Sequence, residues 1–308
     1  MRHITTFAGL PVIEFEPGIV DKLDVEGTPR SAVAWRISAD YEDTEEAFRV
    51  LLDRCLDVVG GESVQALVIG EWGEAYDTPP PLHLLVAARA RLPHLRALFL
   101  GEMTGEECEI SWINHTDVAP LLAAFPGLEI LRIRGAEGLQ LSPVRHMRLR
   151  ELAVESGGLP AGVVRGITDS HLPALTDLEL WLGVSQYGGD VTVEDLAPVF
   201  SGTGLPQLRR LALRNAEIAD QVAAALAGAP VVPRLEALDL SLGILSDRGA
   251  EALLLGQPLT HLRRLDLSHH FISAELADRL RAELPGVDVD LSDQQEEDDG
   301  ERYTAVSE

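Results

Sequence analysis

The residues best suited to chemistry in this 308-residue chain are a histidine pair, His269-His270, two cysteines, Cys55 and Cys108, and a surplus of carboxylates. A metal site needs three or four ligands converging on one point. Neighbours on a strand face opposite ways, and no third ligand stands near the histidine pair, so both read as turn residues. The two thiols form no C-x-x-C motif and no disulfide framework; they read as small buried groups in a reducing compartment. With Lys22 as the only lysine, there is no G-x-x-x-x-G-K phosphate loop. No strand runs into G-x-G-x-x-G, and neither H-E-x-x-H nor G-x-S-x-G occurs. Catalysis therefore has no support in the sequence, and neither cofactor nor metal is expected. Arginine, carboxylate and tryptophan offer recognition instead: forked bonds to carboxylates and broad aromatic anchors.

The formal net charge is −25, from 50 acidic and 25 basic residues. Such a field repels nucleic acid and anionic membrane and favours partners with basic or mixed-charge surfaces. No apolar run is long enough to span a bilayer, and the first ten residues lack the basic-then-apolar pattern of a signal peptide. A cytoplasmic protein is expected.

What would position recognition residues is a repeat. L-x-x-L-x-L recurs at Leu208, Leu211, Leu213; at Leu235, Leu238, Leu240; and at Leu262, Leu265, Leu267. Earlier copies begin at Val64, Leu95, Leu128, Leu149 and Leu175, and a final one reads Leu284, Val287, Val289. The nine copies stand 21 to 33 residues apart. Each supplies a short strand with one apolar face, and each step leaves room for a helix. Helix starts are signalled at Thr116, Thr192 with Asp195, Ser246 and Ser273. Strand, helix and return stack into a right-handed α/β solenoid. Its parallel sheet lines the concave face and its helices the convex face, because helices are wider than strands.

The stretch Leu235-Glu-Ala-Leu-Asp-Leu-Ser-Leu-Gly-Ile-Leu-Ser-Asp-Arg-Gly-Ala-Glu-Ala-Leu253 resembles a ribonuclease-inhibitor-type leucine-rich repeat. That type carries an Asn three residues after the last strand leucine. Here the position holds Ala216, Gly243 and His270, with Asn215 beside the first. The resemblance covers about residues 64–292. The segments Phe7–Phe15 and Ile110–Gly135 resemble a bacterial leucine-rich-repeat family of unassigned activity, common in actinobacteria and found beside biosynthetic enzymes. That resemblance implies an accessory role and brings no catalytic residues.

Within each repeat the third, fifth and seventh positions face outward, and equal positions stack in rows. The seventh-position row runs Gly70, Gly101, Arg134, Glu155, Trp181, Arg214, Ser241, Ser268, Asp290. The fifth runs Val68, Phe99, Arg132, Ala153, Glu179, Ala212, Asp239, Asp266, Asp288, and the third includes Glu151, Asp177, Arg210 and Arg264. The first rungs are apolar outside. The middle ones mix arginine, carboxylate and an outward Trp181, and the last carry an acidic row, which is also common wording in such repeats. The expected partner-binding set is Arg132, Arg134, Glu155, Glu179, Trp181, Arg210, Arg214, Asp239 and Asp266.

Three parts follow: an α/β cap at 1–60, the solenoid at 61–292, and an acidic, apolar-poor tail at 293–308 expected to be disordered. In the cap, strands are predicted at Leu10–Phe15 and Ser31–Ile37, then a helix to about Val58 with Asp43 and Glu46 as its capping box. The functional expectation is a non-enzymatic scaffold that binds another protein on its concave face. The alternative is a small-molecule binder or enzyme with a pocket built from the inserts 70–94 and 101–120, which hold Trp72, Tyr76, Trp112 and His115.

Overall fold

A computed structural model describes residues 2–16 and 18–307; Met1 and Pro17 of the expected cap and Glu308 of the expected tail lie outside the described residues. The leucine repeat dictates the architecture. Leu211, Leu238 and Leu265 align in parallel register and are buried beneath the sheet. Among the described residues twelve strands form one sheet in chain order. They are β1 (Thr6–Phe7), β2 (Leu10–Glu14), β3 (Ala34–Ile37), β4 (Ala66–Ile69), β5 (Ala97–Leu100), β6 (Ile130–Arg134), β7 (Glu151–Glu155), β8 (Asp177–Gly183), β9 (Arg210–Ala216), β10 (Ala237–Asp239), β11 (Arg264–Asp266) and β12 (Asp288–Asp290). Only β1 pairs antiparallel. From β2 onward every neighbour is parallel, as a leucine-rich-repeat solenoid requires.

Helices fill most crossovers: α1 (Ile19–Glu26), α2 (Glu45–Val59), α3 (Leu82–Ala87), α4 (Ala119–Ala124), α5 (Ala161–Asp169), α6 (Val193–Ser201), α7 (Ala219–Leu226), α8 (Asp247–Leu255) and α9 (Ala274–Glu283). Thr192 and Asp195 form a reciprocal capping box on α6, and Ser246 and Ser273 cap α8 and α9. Helix α2 is capped by Thr44, whose hydroxyl accepts from the Ala47 amide; Asp43 instead accepts the Asp40 amide. Before α4 it is Asp117, not Thr116, whose side chain accepts the first free amide.

In the first sixty residues, expected as an α/β cap, β2 and β3 continue the parallel sheet into β4. Two expectations change. The final rung is shifted by two residues: Val289, not Val287, pairs with Leu265, and Asp290 stands beside Asp266. Leu284 is drawn off to close the end of α9, and Gly286 turns the chain with φ 87°. The tail is not loose. Asp298 and Glu301 bridge, and residues 303–307 run back along the edge of the sheet, hydrogen-bonded to earlier rungs. Acidic composition signals a poor core former. It does not register main-chain bonds, and these hold the tail.

Candidate functional site

The concave rows form as the register demands: Arg132 beside Ala153, Ala153 beside Glu179, Glu179 beside Ala212, Ala212 beside Asp239, and Asp239 beside Asp266. Alternation along each strand sends these side chains away from the leucine core. The outcome is a chain of charge that zigzags across five strands. Arg134 Nε donates to Glu155 Oε2 at 2.8 Å, and Arg132 Nη1 to Glu155 Oε1 at 2.8 Å. Arg132 Nη2 reaches Glu179 at 3.2 Å; Arg214 Nη1 donates to Glu179 Oε1 at 2.9 Å and its Nε stands 3.3 Å from Asp239. Burial works to raise the Glu179 carboxyl, but Arg132 and Arg214, helped by hydrogen bonds, overcome it and hold it below the ordinary value. Asp239 goes the other way: burial raises it more than Arg214 and Ser241 lower it.

Trp181 is not the exposed anchor expected. It is 7% exposed, its Nε1 donates to Glu179 Oε1 at 2.8 Å, and the Arg214 guanidinium lies 5.1 Å above its ring. Arg134 and Glu155 are also interior, 4% and 3% exposed. Single bonds from Arg134 and Arg132 occupy both Glu155 oxygens, and Arg134 Nη1 donates to the Met103 carbonyl, so Arg134 and Glu155 are satisfied within the fold. Arg210 pairs with Asp177 at the rim.

The acidic row is explained locally. Asp239, Asp266 and Asp290 each accept the amide of the serine two residues on, at 2.8, 3.0 and 3.1 Å. The carboxylate thereby fixes the turn that ends each rung. Arg264 offsets the remaining charge, reaching Asp266, Asp288 and Asp290 within 3.0 Å.

What stays open is a cleft of about 280 Å³ over β6 to β11, floored by Ala153, Ala212 and Ala237. Arg132, Arg210 and Arg264 face it, against Glu151, Asp177, Glu179, Asp239 and Asp266. Five carboxylates against three guanidiniums leave it acidic. Burial, with Asp177 next to it, raises the Glu151 carboxyl. Of the nine residues read from the sequence as a site, five (Arg132, Glu179, Arg210, Asp239 and Asp266) line this cleft, while Arg134, Glu155, Trp181 and Arg214 support it from the seventh row.

The apolar outer face of the first rungs is covered by the chain's own start. Phe7 packs on Phe99 at 5.7 Å between centroids, over Ala34, Ala66, Val68 and Ala97. The sequence reading missed the ion cluster beside it. Fully buried Glu102 accepts from Arg36 Nε at 2.7 Å and from the Ile4 amide at 2.9 Å, with His3 Nδ1 at 3.0 Å; Arg36 also reaches Glu14 and Glu107. An arginine in the strand Ala34-Trp35-Arg36-Ile37 was the available signal.

The inserts turn inward as well. Trp72 and His115 are buried ring against ring, 5.8 Å apart, and burial lowers His115 to about 4. Tyr76 stacks on Tyr41, and Trp112 remains half exposed. His270, the residue at the repeat's Asn position, is buried; its Nδ1 accepts the Ile272 amide at 3.0 Å and its Nε2 faces the Leu291 carbonyl at 3.3 Å. Among the described residues no group of three His, Cys, Asp or Glu side chains is arranged to hold a metal ion, and no helix is long and apolar enough to cross a membrane.

A crystal structure of a protein from Bacteroides fragilis matches this fold with a TM-score of 0.82 and 31% sequence identity, over 93% of this chain and 84% of that one. The chain belongs to that protein's family. An internalin from Listeria monocytogenes also matches this leucine-rich-repeat protein, with a TM-score of 0.44 and 15% identity, over 86% of this chain and 69% of that one. No protein-family model matches it, and no curated protein does.

Proposed function

We propose that this leucine-rich-repeat protein is a non-enzymatic, cytoplasmic scaffold, its repeats of the ribonuclease-inhibitor type, that binds a basic or mixed-charge segment of another protein in the concave cleft. One observation carries the reading: the cleft over β6 to β11 is lined by three alanines, Ala153, Ala212 and Ala237, set among arginines and carboxylates, with acid in excess. Alanine leaves room for an approaching backbone. Arginines already oriented by Asp177, Glu179 and Asp266 lose little freedom when they take up a second partner. The resemblance to bacterial repeat proteins found beside biosynthetic enzymes fits an accessory role, in which such an enzyme is the bound protein.

Ala212→Trp fills the cleft floor without breaking an ion pair, so it serves as the blocked control. A displayed random-peptide library selected on the wild-type protein is expected to enrich sequences carrying Lys or Arg that the blocked variant does not retain. Equal retention by both would overturn the reading.

A further inference from the structure

The cleft is not the only surface on this fold shaped for a chain. The last four rungs turn at their eighth position, one residue beyond the seventh row. There Asn215, Leu242, His269 and Asp293 all take left-handed backbone, with φ of 53°, 66°, 57° and 58°. The repeated turn sets carbonyls and side chains along the edge of the sheet. Residues 302–307 cross that edge with a bend at Ala305, and their backbone is hydrogen-bonded to it. The Tyr303 carbonyl lies 3.3 Å from His269 Nε2. The Ala305 amide donates to the Leu242 carbonyl at 2.8 Å. Asn215 grips Val306 from both sides: Oδ1 accepts its amide at 3.0 Å, while Nδ2 donates to its carbonyl. Ser111 Oγ donates to the Ser307 carbonyl at 2.5 Å. A Cβ on Gly157 would collide with that same carbonyl, so the seat requires glycine.

Side chains alternate along the segment. Arg302, Thr304 and Val306 are partly covered, while Tyr303 and Ala305 stand exposed. The Arg302 guanidinium sits 5.6 Å from the Phe271 ring. Nothing after Leu291 belongs to the apolar core, so the segment is held by a few edge bonds and not by burial. Its tether, residues 296–301, is exposed and turns at Asp299 and Gly300 with positive φ. If the segment leaves, Asn215 Nδ2 keeps the Ser156 carbonyl at 3.3 Å, but Oδ1 loses the partner that the structure gives it.

We propose that this edge is a peptide-binding site separate from the concave cleft, and that residues 302–307 are its ligand held in cis. The ligand class is a short peptide with a cation, a β-branched hydroxyl residue and an aliphatic residue at alternate positions. Asn215 is the residue that reads the backbone. A segment tethered by a short link experiences an effective concentration in about the mM range. Occupancy in cis therefore sets the free-peptide dissociation constant below about 1 mM.

The test uses the full chain. Ala305→Pro with Val306→Pro removes both amide donors and frees the segment, leaving the edge intact. The probe is a labelled peptide, Arg-Tyr-Thr-Ala-Val-Ser, followed by fluorescence anisotropy. It is expected to bind the proline variant with a dissociation constant below about 1 mM, and wild type at least about two-fold more weakly because its own segment competes at mM effective concentration. Adding Asn215→Ala should weaken binding at least ten-fold. Failure to bind the proline variant, equal binding to variant and wild type, or indifference to Asn215→Ala would each overturn the proposal. Hydrogen exchange on the unsubstituted protein needs no variant to fold: slow exchange at the Ala305 and Val306 amides is expected, and exchange at the unprotected rate would overturn it too. Because the cleft is untouched in every arm, a negative result here leaves the peptide-selection outcome standing.

Discussion

Glu155→Ala tests whether the concave charge chain is built in or laid on. The carboxylate is 3% exposed and is the partner that Arg134 reaches with Nε. Removing it leaves a guanidinium that is 5% exposed, holding only the Met103 carbonyl at 2.6 Å and the face of Phe99 at 5.3 Å. Breaking a buried pair by deleting one member costs about 3–5 kcal/mol, because the survivor is a charge without compensation. Arg132 loses a bond too, but it is one-third exposed and keeps Glu179, so its share is ~0–1 kcal/mol. With an m-value of about 3 kcal/mol/M, the urea midpoint should fall by roughly 1–1.7 M, read by circular dichroism at unchanged m. The companion Arg134→Met/Glu155→Leu variant removes both charges and should recover at least half of the loss, since an apolar pair of similar volume is often neutral. A cost under about 1 kcal/mol for Glu155→Ala, or a double variant as unstable as the single one, would refute the reasoning.

Trp181→Ala should cost about 3–5 kcal/mol of stability, because the indole is interior and carries Arg214; a variant as stable as wild type in the same urea assay would contradict its burial. Leu238→Ala, at the fully buried middle anchor of its rung, should cost about 2–5 kcal/mol, and a loss under about 0.5 kcal/mol would remove it from the core. The Glu71 carboxyl is raised to about 7, by burial first and then by Glu107. Its proton is thus held more tightly in the folded chain, and its contribution, complete below the unfolded value near 4.5, is lost as pH rises through 7. Glu71→Gln should therefore gain stability relative to wild type between pH 4.5 and 7, and a pH-independent difference would exclude this. His115, lowered to about 4 by burial, gives the opposite slope. Its contribution is complete above about 6.5 and is lost as pH falls toward 4, so the Glu71→Gln protein should itself become more stable from pH 4 to 6.5.

The solenoid was legible because leucine spacing is the constraint the fold imposes on its core: Leu211, Leu238 and Leu265 occupy the same place in three rungs. Period-two alternation also assigned the faces of Arg132, Glu179 and Asp239 correctly. Alternation says which side a residue faces and nothing of what else lies there. Trp181 faces outward and is still buried, because Glu179 and Arg214 close over it. Val68 and Phe99 are covered by a segment some ninety residues upstream of Phe99, a relation no local pattern carries. The last rung slipped because its first anchor is a glycine, leaving two valines to compete for the register. Arg36 and Glu102 went unnoticed because a buried ion pair is defined by its partner, and sixty-six residues separate these two.

The segment around Phe7 has a further geometric consequence. It lines a second hollow of about 210 Å³ together with Ile130, Arg132 and Glu151, residues that also form the β6 end of the open cleft, so the two hollows adjoin across β6. From β6 to β11 there are five strand-to-strand steps of about 4.8 Å, or roughly 24 Å. An extended chain advances about 3.3 Å per residue, so some seven residues span that distance. For the proposed function this sets a scale: a segment bound across the whole cleft would be about seven residues long, and a shorter one would leave part of its charged lining unpartnered.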